Sequence, residues 1–140
     1  MFSAEKFFPL YPEQVAVAWP QLLPLVEFFV RKTCMVSAQE IARQLASGDC
    51  QLWCYHDGDF RGICVTRIYA DAIGKVCELW ACVGMEIDEV IDGSVSQLER
   101  WAADVGCYKT RIIGRLGWER RLTGYQRTAI VLDKQLSEMH

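Results

Sequence analysis

Histidine is nearly absent from this chain: His56 and His140 are the only two. Neither completes a ligand set with Cys50 and Cys54, whose spacing is not a zinc pattern, so no metal is expected. Nucleophilic cysteine chemistry needs a base, and His56 stands beside Asp57-Gly58, a turn signal, so it reads as a loop residue. Basic charge is not in excess either. Fifteen Lys and Arg face 18 Asp and Glu, a net charge of −3 at pH 7, so nothing in the balance asks for nucleic acid. The longest apolar stretch, Val15 to Val30, is interrupted by Gln21, Glu27, Pro20 and Pro24, which excludes a membrane span. Met1 to Leu10 lacks a basic start before an apolar core, so no export signal is expected. Linkers, repeats and low-complexity tracts are missing too, and residues 1–140 are expected to form one domain.

What is present is a core-forming composition, 51% hydrophobic and 24% charged. Seven cysteines (Cys34, Cys50, Cys54, Cys64, Cys77, Cys82 and Cys107) make an odd count. Without an export signal they read as reduced thiols in a cytoplasmic protein, most of them small hydrophobes in apolar runs.

The pattern along the chain alternates helix and strand signals. Phe7 to Tyr11 is an aromatic segment, either an edge strand or a docking arm within residues 1–11. Apolar residues from Val15 to Val30 recur at helical spacing, and the main helix is expected to start near Pro20. Ser37-Ala38-Gln39-Glu40 is a capping box opening a helix that Gly48 closes. Strands are expected over 51–55, 60–69 and 75–83, the first two joined by the hairpin signal His56-Asp57-Gly58-Asp59. A 3.6-residue stripe from Val90 to Val105 marks a helix ending at Gly106. A strand over 107–113, a short helix over 118–122 and a last strand over 128–136 complete the order.

Two helices, three antiparallel strands, a helix, a strand, a short helix and a terminal strand resemble the GNAT (Gcn5-related N-acetyltransferase) fold. Leu52-Trp53-Cys54-Tyr55, Asp57-Gly58 and Gly62-Ile63-Cys64-Val65 resemble its hairpin. Leu98-Glu99-Arg100-Trp101-Ala102 with Val105-Gly106-Cys107 resembles its helix-to-strand passage, and Gly124-Tyr125 its Gly-Phe ending. Gly114-Arg115 with Gly117-Trp118-Glu119-Arg120 is similar to small GNAT-like proteins of tailed bacteriophages. The resemblance covers roughly residues 12–136. It implies an α/β (α+β) fold with a mixed, mainly antiparallel central sheet and helices on both faces.

It also implies an acetyl-CoA loop after the third of these strands, of Gln/Arg-x-x-Gly-x-Gly/Ala type. The matching segment here includes Cys82, Val83, Gly84, Met85, Glu86, Ile87 and Asp88. It has one glycine, no basic residue and the carboxylates Glu86, Asp88 and Glu89. Backbone N–H groups at a helix N-terminus cradle phosphate, but like charges at ~4 Å and surface dielectric cost on the order of several kcal/mol. The family's tyrosine acid would fall at Arg120, and arginine cannot donate a proton.

Glu78, in the apolar run Val76-Cys77-Glu78-Leu79-Trp80, is the candidate general base; the other reading is a cross-strand pair with Arg67. Arg115 either binds an anion or caps its turn, and Trp118 is either a core anchor or a partner contact. Lys109, Arg111, Arg115, Arg120, Arg121 and Arg127 form a basic cluster that reads as a solvated face. Two functions stand beside each other. One is a non-catalytic binding or virion-associated module of phage origin, in the virion or host cytoplasm, using no cofactor and docking a protein partner or a second copy through Phe7, Phe8 and Tyr11. The other is an acetyl-CoA-dependent N-acyltransferase acting on an amine. The residues lean toward the first.

Overall fold

Three strands that are apolar on both faces need cover on both sides, and that requirement organises the molecule. The structure is a computed structural model and describes residues 6–33, 36–84, 88–113, 122, 124–130 and 132–136. The elements are β1 (Phe7–Leu10), α1 (Pro12–Thr33), α2 (Ala38–Ser47), β2 (Cys50–His56), β3 (Phe60–Ala70), β4 (Lys75–Val83), α3 (Asp88–Asp104) and β5 (Cys107–Ile112). They build a mixed sheet in the order β1-β2-β3-β4-β5. The first four strands pair antiparallel, and β5 joins β4 in parallel. A parallel neighbour cannot follow through a hairpin, so α3 makes the crossover.

The two sheet faces carry separate cores. Leu22 and Val26 of α1 and Ile41 and Leu45 of α2 pack on Leu52, Ile63 and Val65. Leu98 and Ala102 of α3 pack on Trp53, Cys77 and Leu79. Leu22, Leu52 and Leu98 are fully buried, each worth about 1.5–3 kcal/mol by area removed from water. At the sheet centre Trp53 Nε1 donates to Thr66 Oγ1 (3.2 Å), which donates to Gln51 Oε1 (3.0 Å). That chain satisfies a hydroxyl with no solvent exposure.

Local signals behave as their chemistry requires at α2. Ser37 Oγ accepts from the Glu40 backbone N–H at 3.1 Å, and Gly48 caps the far end at φ 84°. The Glu40 carboxylate turns instead to Arg43, whose Nε donates at 2.8 Å.

Two expectations are corrected, and one open choice is decided. The helix does not wait for Pro20: α1 is continuous from Pro12, with Pro20 and Pro24 inside it. The two prolines lie four residues apart on the exposed face. The carbonyls they leave without N–H donors therefore sit where water serves them. Of the two readings of residues 7–10, edge strand or docking arm, the structure shows the edge strand. Phe7, Phe8 and Leu10 are buried, and the strand pairs with β2 from Phe7 opposite Tyr55 to Leu10 opposite Leu52. Phe7 stacks on Trp53 with ring centroids 5.7 Å apart. Aromatic area of this size is worth more in the core than as a docking surface.

The last strand is the second correction. Residues 128–130 and 132–136 adopt no strand, and Ile130, Leu132 and Leu136 are exposed. Alternating apolar residues state what a segment prefers, but a strand also needs a paired edge. The short helix over 118–122 lies outside the described residues except Leu122, which is buried in the α3-side core.

Candidate functional site

The site begins where β4 and β5 part. β5 pairs with β4 from Lys75 opposite Cys107 to Leu79 opposite Ile112. β4 continues from Trp80 to Val83 without a β5 partner. On the other side Val65 faces Ala81 while Thr66 faces Leu79, so Trp80 is the extra residue of a β-bulge. A bulge frees backbone groups from the ladder, and here it does so at the mouth of the gap.

The turn after β4 is set by Gly84. Its φ is 76°, and an added Cβ would meet the Arg61 carbonyl oxygen at 2.2 Å. The one glycine of the loop is therefore committed to a close pass over β3.

Beside the gap, on the α1/α2 side, three charged residues stand in one row across three strands. Arg67 of β3 faces Glu78 of β4, and Glu78 faces Arg111 of β5. Arg67 Nε donates to Glu78 Oε1 at 2.8 Å. The Glu78 side chain is 3% exposed and that of Arg67 42%. The Arg67 guanidinium lies 5.1 Å from the Trp80 ring and 5.8 Å from the Tyr69 ring. Arg111 Nη1 donates to the Tyr69 hydroxyl at 2.6 Å, with its guanidinium 6.0 Å from the same ring. The cross-strand pair anticipated for Glu78 is thus present, and it is flanked by a second arginine.

The thiols around the row are chemically quieter. Burial pushes the Cys50 and Cys54 thiols of the α1/α2-side core up to about 11 and about 12, and the Cys77 thiol of the α3-side core up to about 12. These are packing groups, not nucleophiles. Tyr125 shares a 2.6 Å hydrogen bond with Thr110, and burial raises its phenol. Among the described residues no group of three or more His, Cys, Asp and Glu is placed to hold a metal ion. Nor, among them, is any helix long and apolar enough to cross a membrane.

A separate cleft of about 320 Å³ lies between α1 and the β2–β3 hairpin, lined by Val17, Ala18, Gln21, His56, Gly58, Asp59 and Phe60. His56, expected in a loop, is the last residue of β2 and packs edge-on against Phe60 at 4.9 Å.

The residues singled out in the sequence separate as follows. Glu78, Val83 and Gly84 lie at the gap, with Val83 buried and Gly84 exposed. Cys82 is on β4 and Asp88 opens α3. Met85, Glu86 and Ile87 fall outside the described residues, as do Arg115, Trp118 and Arg120. Phe7 and Phe8 belong to the core and cannot serve as contacts; Tyr11 is 68% exposed. Arg111, which the sequence groups with a solvated basic face, is half-buried beside Glu78. Only the register of β5 on β4 reveals that placement.

No family profile matches the chain, and no curated protein does. Solved structures do match over nearly its whole length. A predicted acetyltransferase with acetyl-CoA from Clostridium acetobutylicum aligns with a TM-score of 0.69 at 10% identity, covering 93% of this chain and 95% of that one. An aminoglycoside acetyltransferase from an uncultured soil metagenomic sample gives 0.71 at 8% identity, covering 94% and 96%. Glucosamine-6-phosphate N-acetyltransferase from Arabidopsis thaliana gives 0.67 at 14% identity, covering 94% and 98%. Identities this low define the fold: the chain has the mixed α/β GNAT fold that its sequence resembles.

Proposed function

We propose that this protein is an acyltransferase that moves an acyl group from an acyl-CoA thioester to an amine. The observation that carries the reading is the parting of β4 and β5 directly beside Glu78, with a bulge at Trp80 in the gap. The fold shared with acetyltransferases supports it. The non-catalytic module has less behind it, because two of its three N-terminal docking residues, Phe7 and Phe8, are core.

A bound acyl thioester supplies an electrophilic carbonyl carbon. The chain supplies the rest. The open edge of β4 from Trp80 to Val83 offers backbone donors and acceptors to an extended amide chain such as the pantetheine arm. Backbone N–H groups fixed at a bulge also suit a carbonyl oxygen that gains negative charge. Glu78 receives the acceptor nitrogen and takes its proton as the C–N bond forms; the C–S bond then breaks, and the CoA thiolate leaves and takes its proton from water. Arg67 holds that carboxylate in one orientation through its 2.8 Å bond.

The phosphate end fits less well. Gly84 is committed to its pass over Arg61, and the residues after it bring Glu86, Asp88 and Glu89. The donor is therefore gripped mainly along β4, and S-acetylpantetheine binds within about tenfold of acetyl-CoA.

The test is thiol release from acetyl-CoA with a panel of primary amines. Amine-dependent release with a matching acetylated product is expected. No release with any amine, together with no acetyl-CoA binding, overturns the reading and returns the fold to the binding-module alternative.

A further inference from the structure

The row Arg67–Glu78–Arg111 carries one negative and two positive charges, and only one of the arginines is used by the acid. Arg111 is half-buried, and among the described residues no carboxylate pairs with it. Its neighbour Lys109 is engaged with Asp71 at 3.7 Å, so it does not contribute a free charge to the row. One Arg111 donor is spent on the Tyr69 hydroxyl, and that bond tethers the guanidinium at the tip of the ring, 6.0 Å from its centroid. A guanidinium has five N–H donors in a rigid fork suited to carboxylate or phosphate.

From this we infer that the acceptor is a zwitterionic amine, with its nitrogen at Glu78 and its anionic group on Arg111. The inference rests on the acyltransferase reading for the role of Glu78. Adjacent strands are about 4.8 Å apart, close to the separation of amine and anion in a small amino acid or aminoalkyl phosphate. The two groups of the ligand thus match the two strands. Glu78 alone would attract any amine cation; Arg111 beside it selects those that also carry a negative charge, and repels simple polyamines.

The experiment is calorimetric titration of the full chain, without any acyl donor, with β-alanine, 2-aminoethyl phosphate, ethylamine and inorganic phosphate. β-Alanine, aminoethyl phosphate or both should bind at least tenfold more tightly than ethylamine. The stronger of the two identifies the anion as carboxylate or phosphate. Phosphate alone as the strongest ligand refutes the zwitterion. Arg111→Gln should lose tenfold or more of that affinity while leaving ethylamine unchanged, and Arg111→Lys should recover part of it. Tyr69→Phe, which frees the guanidinium without removing it, should weaken binding by a smaller factor. Unchanged zwitterion binding in Arg111→Gln, with an unchanged melting temperature, overturns the proposal. The two readings fail separately. Acetyl transfer confined to neutral amines refutes this inference and leaves the activity standing, whereas zwitterion binding without any acyl transfer does the reverse.

Discussion

Removing either partner of the Arg67–Glu78 pair should have unequal consequences, because the two side chains differ in access to water. Arg67→Met leaves the Glu78 carboxylate, 3% exposed, without its cation. Breaking a buried pair in this way costs about 3–5 kcal/mol. The 42% exposure of the Arg67 side chain admits water and lowers the figure to about 2–3 kcal/mol. Glu78→Gln keeps the shape and leaves an arginine that turns to solvent, at about 1 kcal/mol. For a domain of this size those values correspond to falls in Tm of roughly 6–12 °C and 3–4 °C. Turnover should rank the other way. Glu78→Gln removes the proposed proton acceptor and should cost about 10²–10⁴-fold in rate, whereas Arg67→Met only loosens its orientation. Urea melts and thiol-release rates on both variants check this. Wild-type turnover in Glu78→Gln refutes the role given to the carboxylate. An Arg67→Met variant no less stable than Glu78→Gln refutes the account of its burial.

Three further outcomes test the structure elsewhere. Gly84 and Gly58 share a φ of 76°, but only Gly84 has an obstructing atom; Gly84→Ala should therefore lower Tm clearly more than Gly58→Ala, whose strain alone costs about 1 kcal/mol. The Asp71 carboxyl is held down to about 2, first by the Tyr108 hydroxyl, then by the Gly74 and Ile73 backbone N–H groups. Its folded pKa lies below its unfolded one, so its contribution is complete above about pH 4 and lost as pH falls toward about 2. Asp71→Asn should flatten the loss of Tm across that window, as an acid melting series will read. Cys107 is half-buried, while Cys50, Cys54, Cys64 and Cys77 are buried. Iodoacetamide near neutral pH should reach Cys107 before these four, and mass spectrometry of the native protein gives the order.

Much of the fold was legible because its signals are local. β4 carries the bounds read from its apolar run, Lys75 to Val83, since Gly74 and Gly84 punctuate both ends. Ser37 and Gly48 mark α2 through caps that depend on neighbouring residues alone. The pairing of Glu78 with Arg67 was anticipated because an acid in such a strand requires a partner. What escaped is tertiary. Pro20 and Pro24 were read as breakers because a sequence does not state that their face meets water. Phe7 to Tyr11 reads equally as an edge strand or an arm, and only the pairing with β2 decides between them. Arg111 lies 33 positions beyond Glu78 in the chain, and only the crossover through α3 sets its register against that residue.

The most direct measurement of the central claim is a calorimetric titration of the intact protein with acetyl-CoA, repeated with S-acetylpantetheine. Saturable binding of both, within about tenfold of each other, is what a donor gripped along β4 predicts. No heat from either ligand at high protein concentration, with an unmoved melting temperature, contradicts the acyltransferase account.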